Sequence, residues 1–428
     1  MRSLFATLLG RARTPAEAAP AATASAVPPV QLEAGSPAER TPTQGLVIIE
    51  YRGLAEIAGA ATLQVRVAGD ERPALEKQIR FSPGAAPDWF ALHGHLLPNG
   101  PTRIALRLVE GGRTLAETAL TVLLRNEGPT AEAVAASLRA RGAPLIVDGV
   151  CDSAAYDYAD PGLTAWFDSG PEAVEAHLTD LSARGATSAA EIVALRQFAD
   201  EGYAVLPTRI APELLGRLNA ALDDAVANKV EGYAWGDSQR LHNLHDHYPA
   251  IRELWLHPQI LRMLSLIFGE PPKPCQSLTY IFGSEQQYHQ DFIHLTPFPA
   301  GRMCGVWTAL EDVQPESGEL IVYPGSHRFD RVFLADAGIA KVGEDWSAFG
   351  ETVAKRWGEM IKASGIERQT YRPKAGEVLI WHDNLMHAGM VRRDRDKSRR
   401  SIVGHYFAGG CIAYHDSSGR PGMLHEAG

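Results

Sequence analysis

Cysteine is scarce in this chain. Four residues (Cys151, Cys275, Cys304 and Cys411) are scattered over 428 positions, and none forms a CxxC pair. That excludes a disulfide framework and fits a reducing compartment. Positive charge is also short, with 41 Lys+Arg against 51 Asp+Glu and a net charge of −10. A general nucleic-acid binder needs a basic surface, so that class is set aside, although a local basic pocket for a small acidic substrate is not. There is no apolar run long enough to span a bilayer. The stretch Leu4–Leu9 is apolar but short, and Arg11 and Arg13 follow it rather than precede it, so no signal peptide is expected. Residues 1–40, rich in Ala, Pro and Thr, read as a flexible tail, and the chain reads as cytoplasmic. What remains is an ordinary soluble composition, 45% hydrophobic and 21% charged, with length for two domains.

Residues 41–127 read as short strands. Leu63, Val65 and Val67 alternate with polar neighbours, as do Ile104, Leu106 and Leu108, and Leu120, Val122 and Leu124. Asn99-Gly100 and Gly111-Gly112 supply turns. This predicts a small β-sandwich of immunoglobulin-like kind, with His93-Gly94-His95 as a surface turn. Residues 128–190 read as a mainly helical connector. Ser188-Ala189-Ala190-Glu191 is a capping box that opens a helix closed by Gly202. Pro212 starts the next helix, and a third spans about 257–269.

From Gln276 the pattern becomes eight strands, near 276–283, 286–293, 302–313, 319–323, 367–372, 377–382, 386–391 and 399–407. Hairpin-like returns among eight strands predict a jelly-roll, or double-stranded β-helix. The chain as a whole is thus a mixed α+β protein, with residues 191–428 as its second domain. Residues 328–366 interrupt the strands with a helical insertion (Trp346 to Ile361), expected to act as a lid or substrate loop.

His289-Gln290-Asp291 is the only H-x-D in the chain. On a strand the His and Asp share one face, with Gln290 outward. A second His on a later strand would complete two His and one carboxylate, the arrangement of non-haem Fe(II) oxygenases. His387 is preferred for that position because of its interval to the basic strand that follows; His382 is the rival. Arg399 or Arg400 would give the fixed cation that a dicarboxylic keto-acid needs at its far end. Arg399 shares a face with Ser401, Val403 and His405, and Arg400 with Ile402, Gly404 and Tyr406; periodicity does not choose between them.

Residues of about Phe198 to Phe407 resemble the phytanoyl-CoA dioxygenase family of Fe(II)/2-oxoglutarate-dependent oxygenases. The resemblance runs through Phe198-Ala-Asp-Glu-Gly-Tyr203, His257-Pro-x-Ile-Leu261, His289-Gln-Asp291 and Val306-Trp-Thr-Ala-Leu-Glu-Asp312. It continues through Ser317-Gly-Glu-Leu320, Tyr323-Pro-Gly-Ser-His327, Pro373-x-Ala-Gly-Glu377, His387-Ala-Gly389 and Arg399-Arg-Ser-Ile402. It implies His289, Asp291 and His387 as iron ligands and Arg399 as the 2-oxoglutarate anchor, with Arg400 as runner-up. Trp307 and Ser401 would lie beside the cosubstrate, and Gln276 and Tyr280 would line its pocket. It further implies Fe(II), 2-oxoglutarate and O2 as cofactor and cosubstrates, and hydroxylation of an aliphatic C–H with release of succinate and CO2. Where the family has His-Gly-Ser, this chain has His387-Ala388-Gly389. The presence of Asp291 argues against the related halogenases.

His294 and His245 are further candidate substrate contacts. His242 and His247 read as solvated loop or mouth residues, and most of the Arg392–Arg400 run as a solvated hairpin. The expected substrate is a small molecule, free, carrier-bound or glycan-linked; the sandwich would bind a glycan or a protein. No nucleic-acid partner is expected. The alternative is a non-catalytic binding or sensor protein that retains the barrel.

Overall fold

The computed structural model describes residues 31–54, 61–82, 84–232 and 240–426. Residues 1–30, most of the expected tail, fall outside them. The chain divides into two compact units: residues 1–127 with 135–151, and residues 128–134 with 152–428.

The first unit holds β1 (Leu32–Gly35), β2 (Leu46–Gly53), β3 (Ala61–Val67), β4 (Leu75–Ile79), β5 (Asp88–His93), β6 (Gly100–Glu110), β7 (Arg113–Leu124) and β8 (Ile146–Asp148). They form two four-stranded antiparallel sheets, β1-β2-β5-β8 and β4-β3-β6-β7. Alternation builds the shared core. Val47, Ile49 and Tyr51 from one sheet meet Leu63, Val65, Leu106 and Val122 from the other in one buried cluster. Gly111 and Gly112, at φ 55° and 82°, make the tight β6–β7 turn, where both positions need positive φ.

Three expectations change here. Residues 32–39, expected in the tail, form β1 and a capped turn, because β1 pairs with the edge of β2. Ile146–Asp148, expected in the helical connector, pairs with β5. His93 and His95 are buried rather than on a surface turn; His93 Nδ1 donates to the Pro144 carbonyl at 2.6 Å.

In the second unit the capping box at Ser188 is present. Its hydroxyl accepts from the Glu191 amide at 3.2 Å, and the Glu191 carboxylate accepts from the Ser188 amide at 2.7 Å. It opens the helix Ala189–Glu201, which Gly202 ends at φ 80°. The chain then continues as β9 (Tyr203–Val205), the helix Pro212–Ala227, β10 (Leu241–His242), two helices (Pro249–Trp255 and Pro258–Phe268), β11 (Pro272–Tyr280) and β12 (Thr296–Phe298). After these come β13 (Met303–Ala309), β14 (Leu320–Val322), β15 (Gln369–Tyr371), β16 (Val378–His382), β17 (His387–Gly389), β18 (Ser401–Ala408), β19 (Ile412–His415) and β20 (Arg420–Pro421).

One sheet runs β10-β11-β18-β13-β16-β9 and a second runs β15-β14-β17. A bridge from His289 to His387 extends the second sheet by one more segment. The eight expected segments are therefore dealt to two sheets: first, third, sixth and eighth to one, second, fourth, fifth and seventh to the other. That is jelly-roll topology. Leu278, Trp307, Leu379 and Val403 of the first sheet pack on Leu320 and Val322 of the second. The opposite faces of β16 and β18 (Val378, Ile380, Ile402 and Tyr406) pack on the helices.

The segment 286–293 is not a full strand. Only the His289 position bridges, and Asp291–Ile293 turns into a 3-10 helix whose Phe292 amide donates to the Asp383 carbonyl at 2.9 Å. Within the insertion, the helix Lys355–Ser364 follows a π-helical stretch, Gly350–Ala354. Among the described residues no helix is long and apolar enough to cross a membrane.

Candidate metal and cosubstrate site

His289 and His387 face each other across the two sheet segments as a hydrogen-bonded pair, each amide donating to the other's carbonyl at 3.0 and 3.1 Å. This fixes their backbones opposite one another, with ring centroids 4.2 Å apart. Gln290 is extended, at φ −107° and ψ 133°, so one step of alternation brings Asp291 to the side of His289 before the chain turns. One donor atom from each of His289, Asp291 and His387 lies within 4.8 Å of the other two, and all three residues are buried. They form a candidate metal site.

The imidazoles are oriented for ligation. His289 Nδ1 lies 2.8 Å from the Gln287 carbonyl, and His387 Nδ1 lies 3.0 Å from the Leu385 carbonyl. A carbonyl can only accept, so the protons sit on Nδ1 and the Nε2 lone pairs are left for a metal. The Nε2 atoms stand 3.6 Å and 3.8 Å from Asp291 Oδ1. Burial, with the His387 imidazole beside it, pushes His289 down to about 3, so the ring is neutral at pH 7. For Asp291, burial alone would raise the carboxyl; the imidazoles of His387 and His405 outweigh it and hold the group well below the usual range.

The other carboxylate oxygen is held from behind. Trp381 Nε1 donates to Asp291 Oδ2 at 2.8 Å, and His405 Nε2 lies 3.4 Å from it. Gln276 meets the far side of His405, Nε2 to Nδ1, at 3.2 Å. Gly305, opposite Trp381 in the sheet register, makes this arrangement possible: a Cβ there would lie 2.2 Å from the indole.

Arg399 is buried against Tyr280 and Trp307, its guanidinium carbon 5.8 and 5.6 Å from their ring centroids. One amino group donates to the Gly318 carbonyl at 2.9 Å. Its Nε, the Trp307 indole nitrogen and the Ser401 hydroxyl are buried without a hydrogen-bond partner among the described residues. Burial depresses the guanidinium to about 10, leaving it charged at pH 7. A buried cation with unmade hydrogen bonds is costly, and a carboxylate placed there would satisfy it. The donor set therefore fits a dicarboxylic keto-acid. Arg400 turns the other way, to Asp223 at 2.7 Å and Asn219 at 3.3 Å.

A cavity of about 490 Å³ joins these parts. Gln276, Tyr280, His294 and Trp307 line it with the triad and Arg399. Ser401 is not on its wall. His245 is not either: it stacks on Trp255 at 3.6 Å and bonds the Ser277 hydroxyl at 2.7 Å. Its neighbour His242 is exposed and lines the cavity, as a residue at the mouth would. Gln290 does not reach solvent; its amide bonds the Asn384 carbonyl and the Trp357 indole at 3.0 and 2.8 Å. The insertion contributes Trp346, Phe349 and Trp357 to the wall. Trp381, His405 and the insertion aromatics were not singled out in the sequence, although His405 shares the strand face of Arg399.

The rival His382 lies on the opposite face of β16. Its Nδ1 is 2.8 Å from Asp383 Oδ1 and its Nε2 is 3.3 Å from Asp168 Oδ2. It packs on Phe167, Phe198 and His327, away from the triad.

Residues 198–401 match the family model described as Phytanoyl-CoA dioxygenase (PhyH). Phytanoyl-CoA dioxygenase domain-containing protein 1 of Mus musculus is 37% identical over 91 residues, 20% of this chain and 31% of that protein. The Danio rerio protein of the same name gives the same figures. The match thus spans under a third of these relatives' length. Among solved structures, the non-heme alpha ketoglutarate dependent carbocyclase SnoK from nogalamycin biosynthesis aligns at TM-score 0.45 and 20% identity, covering 55% of this chain and 93% of that one. EctD from S. alaskensis with bound Fe aligns at TM-score 0.41 and 20% identity, covering 52% and 79%. Residues 198–401 are thus similar to the phytanoyl-CoA dioxygenase family.

Proposed function

We propose that this chain is an Fe(II)- and 2-oxoglutarate-dependent dioxygenase that hydroxylates an aliphatic C–H of a small-molecule substrate. The observation that supports it is the convergence on one cavity of an oriented His-Asp-His set and a buried arginine whose Nε has no hydrogen-bond partner among the described residues. His289, Asp291 and His387 would hold the iron through Nε2, one carboxylate oxygen and Nε2. Arg399 would take the far carboxylate of 2-oxoglutarate, with Trp307 beside it on the cavity wall. Iron and 2-oxoglutarate together supply the oxidising chemistry, in which O2 is consumed, succinate and CO2 leave, and one oxygen atom ends on the substrate carbon.

The protein's part is orientation and exclusion of water. Trp381 and His405 keep Asp291 Oδ2 turned from the metal, and Trp357 and Phe349 close the cavity on the insertion side. Purified protein supplied with Fe(II) is expected to convert 2-oxoglutarate to succinate, and Asp291→Ala to abolish both iron retention and conversion. Protein that binds neither iron nor 2-oxoglutarate would reject the reading. We propose the first unit as an immunoglobulin-like sandwich that binds a glycan or carrier protein, on the ground that both units share one chain. Glycan-array and carrier-protein binding assays that both come up empty would reject that role.

A further inference from the structure

We propose that the substrate is a small carboxylic acid with a flat apolar body, its carboxylate read by Arg240 and its body seated on Trp346 and Phe349. The inference rests on the oxygenase reading above for the roles of Asp291 and Arg399.

The first argument is charge. Among the described residues lining the cavity there is one carboxylate, Asp291, and there are two guanidinium groups, Arg399 and Arg240. Asp291 is committed to the metal and Arg399 to the cosubstrate. Arg240 forms no ion pair with a described carboxylate. It is exposed, and it lines the cavity together with the Tyr280 phenol. A cation at the rim of a cavity, with no described carboxylate paired to it, suits an incoming anion. An amine would meet like charge there. A sugar would find no free carboxylate to accept from its hydroxyls.

The second argument is the opposite wall. Trp346 is 48% exposed, an unusual state for a tryptophan. Its ring stands 5.3 Å from Phe349 and 5.8 Å from His294, centroid to centroid. Exposed aromatic faces at a cavity wall favour a flat apolar partner. The third argument is size. A cavity of about 490 Å³ must hold cosubstrate and substrate together, which confines the reacting molecule to small-ligand dimensions.

The test uses 2-naphthoate and its uncharged analogue 2-naphthamide as probes, titrated by calorimetry into the full chain with saturating 2-oxoglutarate under anaerobic conditions. The acid is expected to bind about tenfold tighter than the amide. Arg240→Gln should erase that preference while leaving 2-oxoglutarate affinity intact. Trp346→Ala should weaken both probes alike. Equal binding of the two probes by the unaltered protein, or binding of neither, would overturn the proposal. So would loss of 2-oxoglutarate affinity in Arg240→Gln, because the arginine would then be reading the cosubstrate. Iron and 2-oxoglutarate binding are measured in separate titrations. Failure there rejects the oxygenase reading, whereas the acid-over-amide preference, repeated on metal-free protein, speaks to the anion site alone.

Discussion

The second unit buries two His–Asp clusters on opposite faces of the same strand, and they are built for opposite ends. Behind β16, His382 has a carboxylate beside each ring nitrogen, at 2.8 Å for Asp383 and 3.3 Å for Asp168. The Asn384 amide donates to Nδ1 at 3.0 Å, so the ring's hydrogen bond to a carboxylate runs from Nε2 to Asp168, with Asp383 beside Nδ1 as a charge. Burial would depress this histidine; the two aspartates outweigh it and raise the ring to about 9. Arg331 adds a second cation, 3.3 Å from Asp383. In front, His289 and His387 give their Nδ1 protons to backbone carbonyls and keep Nε2 3.6 and 3.8 Å from Asp291. Residue types are alike; the partner of Nδ1 differs. Two carboxylates beside the ring favour the imidazolium of His382, whereas a backbone carbonyl at Nδ1 fixes the proton there and leaves Nε2 toward a metal.

The sharpest way to break this comparison is to remove one histidine from each side. His387→Ala is expected to lose stoichiometric iron in a metal assay of protein reconstituted with Fe(II), with little change in melting temperature. His382→Ala is expected to retain iron and lose stability by about 2–3 kcal/mol, because Asp383 and Asp168 lose one of their two cations and keep only Arg331. Iron retained by His387→Ala and lost by His382→Ala would reverse the assignment.

This distinction was only partly legible in the sequence. Alternation along 399–405 put Arg399, Ser401, Val403 and His405 on one face and Arg400, Ile402 and Tyr406 on the other. It could not say which face is inward, because that depends on the helix Pro212–Ala227, whose Asn219 and Asp223 take Arg400. The same parity separates Leu379 and Trp381 from Val378, Ile380 and His382. It would have excluded His382 once Trp381 was placed inside. The jelly-roll order followed from eight strand-like runs. The break after Gln290 did not, since the turn at Asp291 is set by a long-range bond from the Phe292 amide to the Asp383 carbonyl. His245 turns away from the cavity onto Trp255 because it sits in a 3-10 turn just after the two-residue strand β10, and elements so short leave no periodic signal.

A pH effect sharpens the charge contrast. The folded value for His382, about 9, lies above its ordinary 6.5. Its contribution to stability is therefore complete below about pH 6.5 and is lost as pH rises through 9. The shift corresponds to roughly 3 kcal/mol. Denaturant unfolding at pH 6.5 and pH 10 should show that loss in the unaltered protein and not in His382→Asn. Parallel pH profiles for the two would mean that the ring is neutral and the two clusters do not differ in charge.

The smallest expected effect probes how the front cluster is held. Trp381 Nε1 donates to the Asp291 oxygen that faces away from both histidines. Without it, that oxygen is free to turn toward the metal and take a position that a cosubstrate would use. Trp381→Phe keeps the ring packed beside Gly305 and removes only the donor. Iron affinity is expected to fall about tenfold, the scale for a lost partner behind a ligand, with the melting temperature little changed. A loss of stability with unchanged iron affinity would make Trp381 a packing residue. A loss of affinity alone makes it a positioning residue, and shows that the carboxylate needs an indole behind it where the back cluster needs an imidazolium.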